Sequence, residues 1–290
     1  MGTGRMTSMG SASYWQHVTD SDLRVPTDRR LDDLTAELTT MLGSVDPVQR
    51  DEVAYPVLAT WIERGVYDDL LSGLGDGMAT GLLVGLGEHD TDTVFRRSFS
   101  TLVLAECIQR DNAAALVPPG KVLEWGDRIT TWFVRERDTR GFVDGKGWAH
   151  TVAHGADALG CLAGSPHFWI HELTVLLDVI ADRLLLPTGA VFTAGEPDRL
   201  AAATMTVLRR NLVPLGIVEP WVARLTATAS AQPPGAGDPF LRRGNPEAFL
   251  RALHLQLLLA GDAPEIRSDL LLVLGDALRA ANPAYLDPNR

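Results

Sequence analysis

Two histidines and one aspartate occur at helical spacing in residues 147–161, GWAHTVAHGADALGC. His154 follows His150 by four residues and Asp157 follows by three more, so an α-helix places the three side chains on one face. An imidazole exchanges protons near neutral pH, and a carboxylate can orient it. The stretch therefore predicts a catalytic acid–base site of His150, His154 and Asp157, in which either histidine acts as the general base and Asp157 orients the imidazole.

The same three residues allow two other interpretations. A hydrogen-bonded polar face can link neighbouring helices without any ligand. Two histidines four residues apart with a nearby carboxylate can also bind zinc or iron, but the glutamate of an HExxH motif is absent, because Thr, Val and Ala stand between the histidines. We assign no metal ligands and keep metal binding as an alternative. The sequence names no cofactor.

The elements that carry these residues are predicted to be helices throughout. From Leu31 onward apolar residues recur at helical spacing, and alternating strand-like runs are scarce. Five helix starts recur along the chain, and their markers lie 45, 52, 51 and 48 residues apart. The markers are Asp51, Arg96, Trp148, Arg199 and Glu247. A partner helix lies between successive markers, and a two-helix repeat of this length is typical of HEAT-like proteins.

This repeat predicts an all-α fold, a right-handed α-solenoid of five to six helix pairs that curves around a concave groove. Residues 14–290 would form a single domain, and residues 1–13 a disordered leader. If the marked helices form the inner wall, side chains from several repeats converge in the groove as a mixed-charge pocket for a small polar or zwitterionic ligand. The predicted substrate-binding residues are Arg96, Ser100, Asp51, Glu52, Tyr55, Trp148, Arg251 and His254. In this interpretation Arg96 and Arg251 hold an anionic group of the substrate.

Prolines and small polar residues predict where several helices begin and end. Asp46 before Pro47 and Asn245 before Pro246 each place a capping side chain ahead of a proline at the first helical position. Pro56 is predicted to kink or restart its helix. The Ala-, Pro- and Gly-rich stretch 227–246 is predicted to be a long loop.

Composition excludes several classes of protein. The net charge of −11 repels phosphate backbones, and no cluster of Lys and Arg exceeds a pair, so no nucleic-acid partner is expected. No apolar run reaches the roughly 18–20 residues of a membrane helix, and the N-terminus lacks an apolar signal region, so we expect a cytoplasmic protein that contacts no membrane. Cys107 and Cys161 lie in apolar helical segments and are expected to be reduced thiols.

Three segments resemble a known bacterial family. They are RDEVAYPVLATWIERG (50–65), FRRSFSTLVLAECIQRDN (95–112) and RGFVDGKGWAHTVAHGADAL (140–159), and the third is the most specific. They are similar to the family called domain of unknown function 2785, over about residues 25–285. The resemblance implies a helical, HEAT-like architecture and an intracellular bacterial location. It implies no activity and transfers no catalytic residue.

The residues therefore favour an enzyme, or an enzyme subunit, that performs acid–base chemistry on a small charged metabolite. Proton removal beside an anion-holding arginine suits an elimination, a ring-closing substitution or a hydrolysis. With two lysines against 24 arginines, residue usage is typical of a GC-rich genome, in which tailoring of a specialised metabolite such as an antibiotic is a plausible setting. The alternative is a non-catalytic scaffold whose groove binds a peptide, a partner protein or a small molecule.

Overall fold

The computed structural model describes residues 8–231 and 238–286, and these residues are helical apart from loops and one short hairpin. The helices are α1 (Ser8–Asp20), α2 (Leu31–Met41), α3 (Tyr55–Glu63), α4 (Leu71–Gly81), α5 (Thr93–Ala114), α6 (Pro119–Arg135), α7 (Thr151–Gly164), α8 (Ile170–Leu185), α9 (Glu196–Arg209), α10 (Leu215–Ala229), α11 (Phe240–Leu259), α12 (Arg267–Ala281) and α13 (Pro283–Leu286). Strands β1 (Phe142–Val143) and β2 (Gly147–Trp148) pair antiparallel between α6 and α7. The prediction of an all-α protein is confirmed.

The longer helices pack in two rows. In the odd row, α3 contacts α5, α5 contacts α7, α7 contacts α9 and α9 contacts α11. In the even row, α4 contacts α6, α6 contacts α8, α8 contacts α10 and α10 contacts α12. Apolar side chains that fill the space between the rows, such as Trp125, Phe133 and Leu159, are buried. Each of these helices therefore buries its apolar side against helices that are close to it in sequence.

A π-helix over Val48–Ala54 precedes α3 and carries Asp51. The Asp46 carboxylate accepts a hydrogen bond of 3.0 Å from the backbone N–H of Val48, which fits the predicted cap. Pro56 has no backbone N–H, so the α-helical hydrogen-bond ladder cannot continue through it, and a wider π turn occupies this place. The predicted interruption at Pro56 is confirmed.

The predicted helix over 147–161 begins later, at Thr151. Gly147 has φ 77° and His150 has φ 49°, both in the left-handed region that a right-handed helix does not use. Trp148 therefore lies on β2, opposite Phe142, instead of on the helix.

Other predicted boundaries also differ from the structure. The cap predicted at Asn245 and Pro246 is wrong, because both residues lie inside α11, where the Asn245 side chain accepts a 2.7 Å hydrogen bond from the backbone N–H of Phe192. The loop predicted over 227–246 is shorter, since α10 continues to Ala229 and α11 begins at Phe240; residues 232–237 lie outside the described part. Helix α1 begins at Ser8, inside the predicted leader 1–13, of which residues 1–7 lie outside the described part.

Within the described residues, no helix is long and apolar enough to cross a membrane. Cys107 is buried and Cys161 half-buried, and both thiols are free, in agreement with the predicted reduced cysteines.

Gly155 allows α7 to approach α6 closely. A Cβ atom at this position would lie 2.3 Å from Cδ2 and Cε2 of Phe133, well inside van der Waals contact. We expect Gly155→Ala to lower the free energy of unfolding by about 1–3 kcal/mol, because an aromatic ring in a packed core must move. Denaturation with urea measures the change. Gly160→Ala in the same helix is the matched control.

At Gly160 the added Cβ would meet its nearest atom, Ala203 Cα, at an ordinary 3.7 Å. Gly160→Ala is therefore expected to stabilise the protein by roughly 0.5–1 kcal/mol, the helix-propensity difference between the two residues. Equal effects of the two substitutions would contradict the close approach of α7 to Phe133.

Candidate functional site

A cavity of about 350 Å³ lies where α3, α5, α7 and α9 meet the β-hairpin. We call it the histidine cavity. Its lining residues come from the π-helix, four helices and β2, and they are Asp51, Tyr55, Phe99, Leu102, Trp148, His150, His154, Asp157 and Arg199. The cavity thus combines aromatic walls with two carboxylates, two imidazoles, a phenol and a guanidinium group.

The hairpin reaches the cavity because residue 147 is glycine. A Cβ at this position would lie 3.0 Å from Arg50 Nη2 and 3.1 Å from Asp51 Oδ2, and the φ of 77° is unfavourable for other residues. The next residue, Trp148, stacks its indole on the His150 imidazole, with the ring centroids 4.1 Å apart. His150 itself has a left-handed backbone conformation, and its N–H donates to the Arg140 carbonyl at 3.0 Å. A non-glycine residue in this conformation is uncommon and is found most often where the surroundings hold it in place.

His150 is nine-tenths buried and neutral at pH 7. Burial lowers the pKa of its imidazole to about 4, the positive charge of Arg199 contributes, and the Ala194 backbone partly opposes the shift. Its Nε2 atom is buried and has no hydrogen-bond partner of normal geometry among the described residues. A buried polar atom without a partner is costly, so it commonly marks a place where a ligand or water binds.

His154 is held in one tautomer by Ser98. The Ser98 hydroxyl donates its single proton to the Ala149 carbonyl, so its oxygen accepts at 2.7 Å from His154 Nδ1–H. The Nε2 atom of His154 therefore carries a lone pair. Burial lowers the pKa of His154 well below its ordinary value, with smaller contributions from His150 and Arg199. His154 is thus a neutral imidazole that can accept a proton at Nε2.

Asp157 binds Arg199 instead of orienting an imidazole. Its two oxygens accept hydrogen bonds from Arg199 Nε, at 2.8 Å, and from Arg199 Nη2. The predicted orienting role therefore belongs to Ser98 for His154. Among the described residues, Arg199 Nη1 has no hydrogen-bond partner, so this nitrogen can donate to a ligand. Burial lowers the pKa of Arg199, but the guanidinium remains protonated.

Asp51 is positioned by a buried arginine. Arg50 is fully buried and donates from Nε to Asp51 Oδ1 at 2.7 Å, while Nη2 donates to the Lys146 carbonyl at 2.7 Å and so ties the hairpin to the π-helix. The same guanidinium lies over the ring of Phe95, 4.1 Å from its centroid. Burial raises the pKa of Asp51, and the hydrogen bond and charge of Arg50 oppose this.

Tyr55 presents a protonated phenol to the cavity. Its hydroxyl donates to Glu106 Oε1 at 2.8 Å. Burial, followed by the charge and hydrogen bond of Glu106, raises the pKa of the phenol far above its ordinary value. The Tyr55 side chain is therefore a neutral hydrogen-bonding group at neutral pH.

Six of the predicted site residues line the same cavity. They are Asp51, Tyr55, Trp148, His150, His154 and Asp157. Two predicted residues of α5 lie elsewhere, because Arg96 and Ser100 face α4. Arg96 donates to the Thr39 carbonyl, and Ser100 is buried against Gly81.

Three more predicted residues also lie outside the lining. Glu52 is exposed on the π-helix, and His254 is half-buried on α11. Arg251 donates to Glu247 and, at 2.6 Å, to Asn282 Oδ1. Neither Arg96 nor Arg251 can therefore hold an anion in the histidine cavity.

The prediction missed the groups that complete the cavity. Arg199 served only as a marker of the repeat, although it is the cationic residue of the lining, and Phe99 and Leu102 form part of the wall. Ser98 and Arg50 act behind the lining. One signal was present for Arg199, since it follows Asp157 by 42 residues, about one repeat, on the next helix of the odd row.

The structure offers no metal site among these groups. Within residues 8–231 and 238–286, no three or more His, Cys, Asp or Glu side chains are placed to hold a metal ion.

Comparison with known proteins identifies a family and no further relative. Residues 82–255, more than half of the chain, match the family described as "Protein of unknown function (DUF2785)". The matched range contains His150, His154, Asp157 and Arg199, and it begins after Asp51 and Tyr55. No curated protein and no solved structure matches the chain.

Proposed function

We propose, for a chain that belongs to the DUF2785 family, that the protein is an enzyme or an enzyme subunit that performs acid–base chemistry on a small charged metabolite. The observation that carries the proposal is the 2.7 Å contact between His154 Nδ1 and the Ser98 hydroxyl, which donates its proton to the Ala149 carbonyl; from this contact we infer the tautomer of His154. This leaves an Nε2 lone pair on a residue that lines a cavity of ligand size. An elimination, a ring-closing substitution and a hydrolysis all require such a proton acceptor.

Three lining residues and one residue behind the lining have roles in this proposal. His154 Nε2 is the general base, and Ser98 is a positioning residue that fixes its tautomer. Arg199 Nη1 holds an anionic group of the substrate, while Asp157 orients the guanidinium through its two oxygens. Because the pKa of His154 is depressed, its imidazole is unprotonated across the physiological range. The same depressed pKa makes it a weaker base than an ordinary imidazole.

The proposal includes an architecture and a setting. The two rows of helices, each packed on its sequence neighbours, support a right-handed HEAT-like solenoid whose odd row forms a concave wall around the cavity. A cytoplasmic location and the tailoring of a specialised metabolite such as an antibiotic belong to the same proposal. They are supported by composition and by the charged, mixed lining of the cavity.

The test compares consumption of metabolites by two proteins. A bacterial metabolite extract is incubated with wild-type protein or with His154→Gln, and the loss of each mass is followed by mass spectrometry. We expect at least one compound to be consumed about 10²- to 10⁴-fold more slowly by His154→Gln, because a general base contributes a factor of this size. His171→Gln, which changes an exposed histidine on α8, should behave like wild type. Identical extracts after treatment with wild-type protein and with His154→Gln would contradict the proposal.

One observation favours the alternative of a non-catalytic binding scaffold. Phe142 and Trp148 form an exposed aromatic pair beside the cavity, with ring centroids 5.1 Å apart and 60% and 40% of their surfaces accessible. Exposed aromatic side chains are frequent anchors for peptides and partner proteins. If the protein is a scaffold, Phe142→Ala weakens binding of its partner, and His154→Gln leaves every metabolite in the extract unchanged relative to wild type.

A further inference from the structure

The charges of the histidine cavity do not balance. Its lining has two carboxylates, Asp51 and Asp157, and one cation, Arg199. Both imidazoles are neutral at pH 7, because their pKa values are depressed. Behind the lining, the charges of Arg50, bound to Asp51, and Glu106, bound to Tyr55, offset each other. A ligand that brings only negative charge would increase this excess, whereas a ligand that also brings a positive charge would leave it unchanged and would offer each sign of charge in the lining a partner.

An oxygen of Asp51 is available to such a positive charge. Oδ1 accepts the short hydrogen bond from Arg50 Nε at 2.7 Å, but Oδ2 has only a 3.3 Å contact with Nη2 of the same guanidinium. Oδ2 also lies beside the backbone of Gly147, directly before Trp148 on β2. The less engaged oxygen of a carboxylate therefore adjoins the strand that carries the indole.

The walls of the cavity suit an ammonium group. Trp148, the best aromatic side chain for binding a cation, is 40% exposed, and Phe99 and Tyr55 line the same space. A second, independent sign of a ligand is His150, which is nine-tenths buried and whose Nε2 has no partner of normal geometry among the described residues. A neutral imidazole in that position can accept a hydrogen bond from an ammonium group or donate one to a carboxylate.

We propose that the ligand of the histidine cavity is a small zwitterion of the α-amino-acid type. Its ammonium group lies against Asp51 and Trp148, and its carboxylate accepts a hydrogen bond from Arg199 Nη1. The inference rests on the proposed function in that it places the ligand in the cavity that holds the proposed base. It adds the chemical class of the substrate, which the position of His154 alone does not determine.

The test uses probes that differ in one charge. The twenty common α-amino acids and a set of their dipeptides are tested for binding by calorimetry and thermal shift, and each compound that binds is then compared with its N-acetyl form and its carboxamide form. We expect at least one zwitterion to bind, and we expect the loss of either charge to weaken binding by more than about tenfold. If no zwitterion of the set binds, or if the N-acetyl form binds as tightly as its parent, the inference is wrong.

Two substitutions assign the charges to their partners. In Asp51→Asn the preference for the free amine over the N-acetyl form should fall towards one, and the preference for the carboxylate over the amide should persist. In Arg199→Gln the preference for the carboxylate over the amide should fall towards one, and the preference for the free amine over the N-acetyl form should persist. Trp148→Leu, at a half-exposed position, serves as a second test of the ammonium end should Asp51→Asn lose its fold. Asp127→Asn, an exposed change on α6, is the control.

The two proposals fail in different ways. Binding of a zwitterion by both wild type and His154→Gln, without turnover by either, would contradict the catalytic proposal and support the ligand class. Turnover of a metabolite without a cationic group by wild type, but not by His154→Gln, would support the catalytic proposal and contradict the ligand class. Unchanged preferences in Asp51→Asn, Trp148→Leu and Arg199→Gln would overturn the placement of the ligand.

Discussion

Replacing Glu136 with alanine is expected to lower the free energy of unfolding by about 3–5 kcal/mol. The Glu136 carboxylate is buried at the C-terminal end of α6 and accepts hydrogen bonds from Arg97 Nε at 2.5 Å and Nη2 at 2.9 Å, and from Trp132 Nε1 at 3.0 Å. Its Oε1 also accepts from the backbone N–H groups of Arg137 and Asp138, each at 2.9 Å. Removing it leaves the fully buried charge of Arg97 without its carboxylate partner.

Chemical denaturation of wild type and Glu136→Ala measures this effect. The matched control is Glu124→Ala on the same helix, where the glutamate pairs with Lys121 and is half exposed. Exposed pairs of this kind contribute about 0–1 kcal/mol. Similar losses of stability in the two variants would contradict the role that we assign to the buried pair.

The Glu136 network also supports the candidate site. The chain continues from Glu136 to Asp138, whose carbonyl accepts a 2.5 Å hydrogen bond from the hydroxyl of Thr151, the first residue of α7. The buried carboxylate thus helps to hold the point at which the helix with His154 begins. We therefore expect Glu136→Ala to impair ligand binding as well as stability.

Acid is expected to destabilise the protein through His150 and His154. In the unfolded chain both imidazoles take up protons near their ordinary pKa of 6.5, whereas in the folded protein His150 does so only near pH 4 and His154 at a pKa well below the ordinary value. Between these limits the unfolded state binds more protons, so stability falls as the pH falls. An imidazole that stays neutral in the folded protein contributes up to about 1.4 kcal/mol per pH unit below its ordinary pKa, so His150 alone lowers the stability by roughly 1.5 kcal/mol between about pH 6.5 and pH 5, and His154 adds to this decline.

Denaturation curves recorded at a series of pH values test this prediction. The His150→Asn, His154→Asn double variant should show a clearly shallower decline than wild type over the same interval, because the carboxylates titrate alike in both proteins. His171→Gln removes an exposed histidine and should leave the wild-type slope unchanged. A double variant with the same slope as wild type would mean that the two imidazoles are not held neutral by burial.

Much of the candidate site follows from local helix geometry, which the spacing of residues in the sequence predicts. The spacing of apolar residues predicts the helices, because the period of an α-helix is a property of the backbone. The spacing of His154 and Asp157 places them on one face of α7 for the same reason. Asp51 and Tyr55 reach the same cavity from the π-helix and from the start of α3. Pro56 predicts the interruption of its helix, because the missing N–H is a property of that residue itself.

The remaining features depend on how whole helices rotate and approach each other. Whether Arg96 faces the cavity or α4 depends on the rotation of α5 about its axis, and that rotation is decided by the packing of both its sides. The start of α7 at Thr151 depends on the hairpin before it. Arg50 holds this hairpin by donating to the Lys146 carbonyl, which lies 96 residues later in the chain. Sequence spacing thus determined which side chains share a helix face, because that relation is set within a few residues. Only the tertiary structure decided that Arg199 completes the cavity and that Ser98 orients His154, because those contacts join separate helices.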